Sequence, residues 1–235
     1  LKNFSPRLYY IKKIVRGGLP SLGRQGVSSI AVACLNHAVG IYVQDSIMID
    51  AVQAAMTGVS KIMNFLTSAL TGFGQGFQPV CGFNYGARKY ERVTRGFRFC
   101  VKASSLILLT LAVLGFLFAP QIIAVFRGDD PEVVRIGAKT LRLQCISFPV
   151  TGFVVMSNML LQNIAMTLRA SVVAAARQGL VFVPFALILP HLFGLAGVQC
   201  CQAASDLCAF ILALCVTLPV VRQLSRGENP VEYRK

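Results

Sequence analysis

A stripe of polar side chains runs along a long apolar segment, and no other part of the sequence is as well suited to chemistry. Its members are spaced alternately by four and three residues, so all of them share about a third of an α-helical surface. A soluble amphipathic helix is polar over much more of its circumference. A narrow polar stripe between apolar faces predicts a lipid-embedded helix that lines a cavity and offers mainly hydrogen bonds. The members are Thr57, Lys61, Asn64, Ser68, Thr71, Gln75 and Gln78.

Lys61 is the charged member of this stripe and lies well inside the apolar segment. An ammonium group at that depth is tolerated beside a partner or in a water-filled cavity. The lysine therefore favours a cavity. The alternative is a helix–helix interface held together by small polar groups.

Shorter polar faces occur on four other apolar segments. Pro149 and Gly152 interrupt the fourth segment in the order of the chain, where a helix can bend and free backbone carbonyls. We predict that the polar positions line one pathway with the stripe. They are Asn36 on the first segment, Gln144, Thr151, Asn158 and Gln162 on the fourth, Gln178 on the fifth and Asp206 on the sixth.

Asp206 is the only carboxylate near the middle of an apolar segment. Carboxylates at that depth are rare, and they usually act as counter-ions or carry protons. A nearby Lys61 would favour its charged form, and the sequence leaves open whether the two are paired. The alternatives are a purely structural charge pair and a carboxylate that caps exposed backbone.

These side chains must be positioned by membrane-spanning helices, because 55% of the chain is hydrophobic, only 14% is charged and the mean hydropathy is +0.64. Six segments are long enough to cross about 30 Å of hydrocarbon. The fold class is therefore all-α and polytopic. The predicted spans are residues 18–43, 48–82, 97–119, 133–163, 168–190 and 194–220, with a tight turn at 190–194 and a short amphipathic stretch at 121–126.

The net charge of +14 is concentrated in three basic blocks, within residues 2–16, 88–102 and 222–235, while six of the nine acidic residues lie between the blocks. This alternation follows the positive-inside rule. We therefore predict a multi-pass protein of the cell (inner) membrane with both termini in the cytoplasm. The alternation also excludes a nucleic-acid face, which needs aromatic residues among the charges of a polar domain. Residues 1–17 are predicted to be an amphipathic lead-in, 18–220 the membrane bundle and 221–235 a cytoplasmic tail.

The end of the second span carries a family resemblance. Residues 72–93 read GFGQGFQPVCGFNYGARKYERV, which closely resembles the signature at the end of the second helix of a half in the MATE (multidrug and toxic compound extrusion) transporters, especially their MepA-like branch. The resemblance implies one six-helix half of a twelve-helix, inverted-V transporter. Such a protein exports drugs or amphipathic, often cationic, metabolites by alternating access, in exchange for H⁺ or Na⁺.

The resemblance also implies partners. Because the chain begins at Leu1 and a basic segment precedes its first span, we expect the C-terminal half, which works with a missing N-terminal six-helix half. That half carries the acid most often linked to ion coupling, so the coupling ion is expected to bind mainly there. The alternative is a naturally split transporter.

No nucleotide-binding loop, dinucleotide fingerprint, catalytic triad or zinc pattern occurs in the sequence. We therefore expect no enzyme activity and no cofactor or metal, with transport driven by an ion gradient. Two other functions stay open. A lipid-linked oligosaccharide flippase of the same superfamily needs several arginines or lysines in its cleft for pyrophosphate, and a membrane scaffold would use the polar stripe to hold a partner protein.

Overall fold

The computed structural model describes residues 46–127 and 131–230, together with residues 26, 29, 30, 32–34 and 40. Within these residues the chain is helical and contains no strand, so the predicted all-helical class is confirmed. The first predicted span, 18–43, falls largely outside the described residues. The elements are α1 (Ser46–Gly86), α2 (Tyr90–Leu117), α3 (Ala119–Arg127), α4 (Pro131–Asn163), α5 (Thr167–Ala175), a π-helical turn (Ala176–Leu180) and α6 (Phe182–Ser225).

Three of the described helices are long and apolar enough to cross a membrane, judged by length and composition alone. These are α2, α4 and α6, whose most apolar windows have mean hydropathies of 2.1, 1.4 and 2.2. Helix α1 has 41 residues but is not among them, because the polar stripe and the glycines around it lower its hydropathy. The short helix α3 covers the stretch that was predicted to be amphipathic.

Helix α6 is folded back on itself at Gly194. That residue has φ 55° and ψ −132°, a conformation in which glycine has no Cβ to clash. The thiol of Cys201 donates to the carbonyl of Phe185 at 3.4 Å, and these residues would lie about 24 Å apart along a straight helix. A Cβ on Gly197 would collide with the carbonyl of Leu189. The reversal therefore lies at the end of the turn that the sequence predicted at residues 190–194.

Three helices end in the same hydrogen-bonded motif. At the end of α1, the Lys89 amide donates to the carbonyl of Asn84 at 2.9 Å and the Arg88 amide to that of Tyr85 at 3.0 Å, with Arg88 at φ 57°. This pair of bonds satisfies two carbonyls that the helix leaves free. The equivalent left-handed residue is Ala165 after α4 and Gly227 after α6.

The signature that carries the family resemblance has a structural role at this end of the bundle. The hydroxyl of Tyr85 donates to Oδ1 of Asn229 at 2.7 Å, and its ring packs against that of Tyr90 with centroids 5.4 Å apart. The Asn84 side chain donates to the carbonyl of Val80 at 2.8 Å. The α1–α2 turn is thereby attached to the chain that follows α6.

Helix α4 is the centre of the bundle and packs against α1, α2, α3, α5 and α6. The predicted interruption at Pro149 and Gly152 is wrong, since α4 is continuous from Pro131 to Asn163. Gly152 instead allows α2 to approach closely, because a Cβ there would lie 3.0 Å from Oγ of Ser104. Four aromatic rings link the helices around this contact, with successive centroids 6.5, 6.2 and 5.5 Å apart: Phe77, Phe97, Phe153 and Phe210.

The close contact at Gly152 predicts a stability difference between two glycine substitutions. Gly152→Leu forces a side chain into the α2 backbone, where a Cβ alone would lie 3.2 Å from the Ser105 nitrogen, and overpacking of this kind costs about 1–3 kcal/mol. We expect a lower unfolding midpoint for the purified protein in detergent. Gly72→Leu is the matched control, since no atom lies within 4 Å of a Cβ built there. Equal losses for both variants would contradict the packing role of Gly152.

Candidate functional site

A polar cavity of about 630 Å³ lies between α1, α4 and the α5–π segment. Most of its polar lining consists of neutral amide and hydroxyl groups, which form hydrogen bonds without the desolvation cost of a charge. Among the described residues, Arg177 is the only charged one in the lining. The lining residues are Thr67, Thr71, Gln75, Gln78, Val154, Val155, Asn158, Met159, Gln162, Val173, Ala174 and Arg177.

Helix α1 supplies the C-terminal half of its stripe to this cavity. Thr71, Gln75 and Gln78 are spaced by four and three residues, so they lie above one another on one face. The hydroxyl of Thr71 donates to the Thr67 carbonyl at 2.8 Å. The side-chain amides of Gln75 and Gln78 line the cavity. Gly74, on the buried side of the helix, lets Met159 of α4 approach so closely that a Cβ would collide with its side chain.

Helix α4 supplies the facing wall. Nε2 of Gln162 donates to Oδ1 of Asn158 at 2.7 Å, one helical turn away. Val154 and Val155 lie on the same side of the helix and line the cavity with apolar surface. The site therefore combines amides, which orient a ligand, with apolar side chains, which bury it.

The charge in the cavity is carried by a π-helical turn. Residues Ala176–Leu180 adopt π geometry, and the Val181 amide donates five residues back to Ala176 at 3.2 Å. Such turns are rare and often occur at functional sites, because the extra residue re-aims a side chain. Here the turn carries Arg177, which is part of the cavity wall.

Asp206 of α6 is the partner of Arg177. Nε of Arg177 lies 3.6 Å from Oδ1 of Asp206, with side chains 24% and 11% exposed. Gln202, one turn earlier on α6, donates its Nε2 to the same oxygen at 3.3 Å. Arg177 thus faces the cavity while its counter-ion is buried behind it.

The cation that pairs with Asp206 is Arg177 and not Lys61. Lys61 is exposed on α1 and is not part of the cavity wall. The physical reason is that the turns that carry Thr57 to Ser68 point the stripe away from the described helices, whereas Thr71 to Gln78 face α4. The exposed N-terminal members of the stripe are Thr57, Lys61, Asn64 and Ser68.

The structure divides the predicted polar face of α4. Gln144 and Thr151 are buried in the bundle, and the hydroxyl of Thr151 has no hydrogen-bond partner there. They lie outside the cavity wall, because neighbouring helices cover α4 at those turns, whereas Asn158 and Gln162 line the cavity. Gln178 belongs to the π turn by its backbone, and Asn36 falls outside the described residues.

Arg177 is the charged residue of the described cavity wall, and the sequence predictions did not include it. The available signal was an arginine in the middle of the predicted span 168–190, within SVVAAARQGLVFV. A charged side chain at membrane depth is by itself a hypothesis of function. Its partner Asp206 was identified, but the pairing of the two depends on the reversal of α6, which brings residues 29 positions apart together.

The chain is similar to a known protein family and to solved structures. The MatE family model matches residues 26–188, and no curated protein matches the chain. A solved structure described as the outward-facing conformation of a multidrug resistance MATE family transporter of the MOP superfamily superposes with a TM-score of 0.79 at 25% identity, over 95% of this chain and 49% of that one.

Two further solved structures are similar to the same extent. A MATE crystal structure in the bent conformation gives a TM-score of 0.78 at 25% identity, over 96% of this chain and 49% of that one. A MOP superfamily transporter from Pyrococcus furiosus, whose binding pocket is described as having reverse polarity, gives 0.78 at 25% identity, over 95% and 49%. The chain therefore spans about half the length of the solved transporters that it resembles.

The buried ion pair predicts how the charges of Arg177 and Asp206 depend on each other. Arg177→Gln leaves a buried carboxylate without its cation. Breaking a fully buried pair costs about 3–5 kcal/mol, and the 24% exposure of Arg177 reduces this to roughly 2 kcal/mol. The double variant Arg177→Gln/Asp206→Asn should recover most of the loss, because no lone charge remains.

The unfolding midpoint of the purified protein measures this dependence. Arg169→Gln, on α5, serves as the control, because Arg169 forms no ion pair with a described residue, and it should change the midpoint little. A double variant that is no more stable than Arg177→Gln alone would contradict the dependence of the two charges on each other.

Proposed function

Because this chain belongs to the MATE family, we propose that it forms one six-helix half of a secondary active efflux transporter. The similarity to about half the length of solved MATE structures supports this, as does the six-span layout predicted from the sequence. We assign it to the C-terminal half of a MepA-like member, since the basic stretch at residues 4–16 resembles the segment that links the halves of such transporters. An N-terminal half would then face the exposed part of the α1 stripe.

The observation that carries the proposal is the polar cavity between α1 and α4. Its volume of about 630 Å³ is within the usual range of roughly 300–1,000 Å³ for small-molecule sites. Amides on both walls suit the polar groups of an amphipathic drug or metabolite, and Met159 offers an adaptable apolar contact. A substrate would be released on the other side of the membrane as the two bundles rock about the cleft.

The exposed N-terminal members of the stripe extend this pathway in the proposal. Lys61, Asn64 and Ser68 would line the same cleft opposite the other half, where water stays available to the ammonium group. The site would then run along one side of α1, from a wide opening at Thr57 to the cavity at Gln78.

The Arg177–Asp206 pair gives the cavity a point at which an ion can act. A proton or a Na⁺ ion that neutralises Asp206 would weaken its hold on Arg177, which is 3.6 Å away, and would leave the guanidinium free to interact with the cavity. We propose that this exchange tunes substrate affinity, while the main coupling ion, H⁺ or Na⁺, binds in the other half. Asp206, the acidic member of the pair, is the group that such an ion would neutralise.

The charge of the cavity also bears on the flippase alternative. A pyrophosphate group needs several cations, ideally arginines that bind it with two donors each. Among the described residues, one cation lines the cavity and it already has a counter-ion. This favours efflux of amphipathic molecules over transport of a lipid-linked pyrophosphate.

Efflux can be tested with a cationic amphipathic dye in cells that express the protein from its full gene. We expect less dye to accumulate than in cells with empty vector. Gln75→Leu and Gln162→Leu should each slow efflux about fivefold at unchanged membrane abundance, because each removes a hydrogen bond worth roughly 1 kcal/mol. Thr110→Leu on α2 is the matched control, since its hydroxyl is exposed and bonds only its own helix, at 3.0 Å from the Leu106 carbonyl.

Two outcomes would overturn the proposal. Dye accumulation equal to that of vector controls would favour the scaffold hypothesis. Equal slowing of efflux by Thr110→Leu would show that efflux does not depend on the amides of the cavity. Collapse of the proton gradient in one arm and removal of Na⁺ in another identifies the coupling ion.

A further inference from the structure

A second cavity of about 490 Å³ lies where α2, α4 and the end of α6 meet. Its floor is apolar and its rim is basic. The floor residues are Phe97, Val101, Phe153, Leu218 and Val221, and the rim residues are Arg98, Lys102, Arg222 and Arg226. We call this cavity the basic groove. It does not share a residue with the polar cavity between α1 and α4.

The cations of the basic groove are reached from two sides. An adjoining cavity of about 640 Å³ is also lined by Arg98, Lys102 and Ser225. Nη2 of Arg98 donates to the hydroxyl of Ser225 at 3.3 Å, which attaches α2 to the end of α6. The adjoining cavity also contains Glu91, which pairs with Arg95 and not with a rim cation.

Among the described residues, no carboxylate forms an ion pair with any of the four rim cations. One cation of another apolar cavity, beside α3, differs in this respect. There, Arg135 donates to both carboxylate oxygens of Glu132 at 2.7 and 2.8 Å. Arg142 donates to the Phe116 carbonyl at 3.2 Å and lies 5.6 Å over its ring.

Four unneutralised cations around one groove repel one another, so the site favours an anion. The apolar floor favours a hydrocarbon chain, which a free phosphate does not have. The rim lies within the last turn of α6 and within the first four turns of α2, where apolar segments meet the charged ends of helices. Basic sites of this kind between membrane helices suit phospholipid headgroups.

We propose that the basic groove binds an anionic phospholipid, with its phosphodiester at the rim cations and one acyl chain along the apolar floor. This site is separate from the substrate pathway and does not depend on the proposed transport activity. A bound lipid would hold α2 against α6, because the rim cations come from both helices.

The proposal is tested by thermal unfolding and native mass spectrometry of the delipidated protein in a neutral detergent. The probes are phosphatidylglycerol, phosphatidylcholine and glycerol phosphate. We expect phosphatidylglycerol to raise the unfolding midpoint and to stay bound in the mass spectrum, and the other two probes to do neither. Arg98→Gln/Arg222→Gln should weaken the apparent affinity about 30-fold, at roughly tenfold for each 1.4 kcal/mol and about 1 kcal/mol for each cation.

The control variants separate a specific site from general surface charge. Arg92→Gln/Arg169→Gln removes the same charge from two residues that line neither cavity, and it should retain phosphatidylglycerol. Arg98→Lys/Arg222→Lys keeps the charges and should retain most of the binding. Equal losses in the groove and control variants, equal binding of phosphatidylcholine, or an equal shift with glycerol phosphate would each overturn the proposal.

Discussion

The close approach of α4 to its neighbours is the constraint on which the rest of the structure depends. Small residues make it possible, since Gly74 of α1 faces Met159 and Gly152 of α4 faces Ser104. Helix packing in a membrane relies on such contacts, because lipid gives no hydrophobic drive for helices to associate. Once α1 lies this close, its amides and those of α4 must face each other across the space beside the contact. The polar cavity thus follows from where the glycines are.

The described walls of the site carry little charge. Both walls carry amides, which need no counter-ion, and the single cation in the cavity wall is balanced by Asp206 behind it. The π turn sets the direction of Arg177, and Gln202 gives Asp206 a second partner.

Much of this arrangement could be predicted from single residues and their spacing. The period of the stripe predicted a helix, and Pro190 to Gly194 predicted the reversal that Gly194 makes. The facing amides Asn158 and Gln162 were also identified by spacing. These features depend on local sequence, where helical period and glycine conformation decide the outcome.

The remaining features depend on contacts between distant parts of the chain. The pairing of Asp206 with Arg177 requires the extra residue of the π turn in addition to the reversal of α6, and the π turn has no local sequence signal. Gln144 and Thr151 share the polar face with Asn158, but neighbouring helices cover only the first two. Pro149 did not break α4, because a membrane helix tolerates proline where its neighbours satisfy the backbone groups that the proline leaves free.

Whether the amide walls line a water-filled cleft is measured by the reaction of introduced cysteines with a charged, membrane-impermeant thiol reagent. Only the thiolate reacts, so labelling requires water. Gln162→Cys in the cavity is compared with Leu106→Cys, an α2 position that is 65% exposed and has apolar neighbours. The background lacks the cysteines that are not buried, which are Cys34, Cys200, Cys208 and Cys215. We expect rapid labelling at residue 162, which substrate slows, and no labelling at residue 106. Equal labelling at both positions, or labelling at 106 alone, would contradict a water-filled cleft between the amide walls.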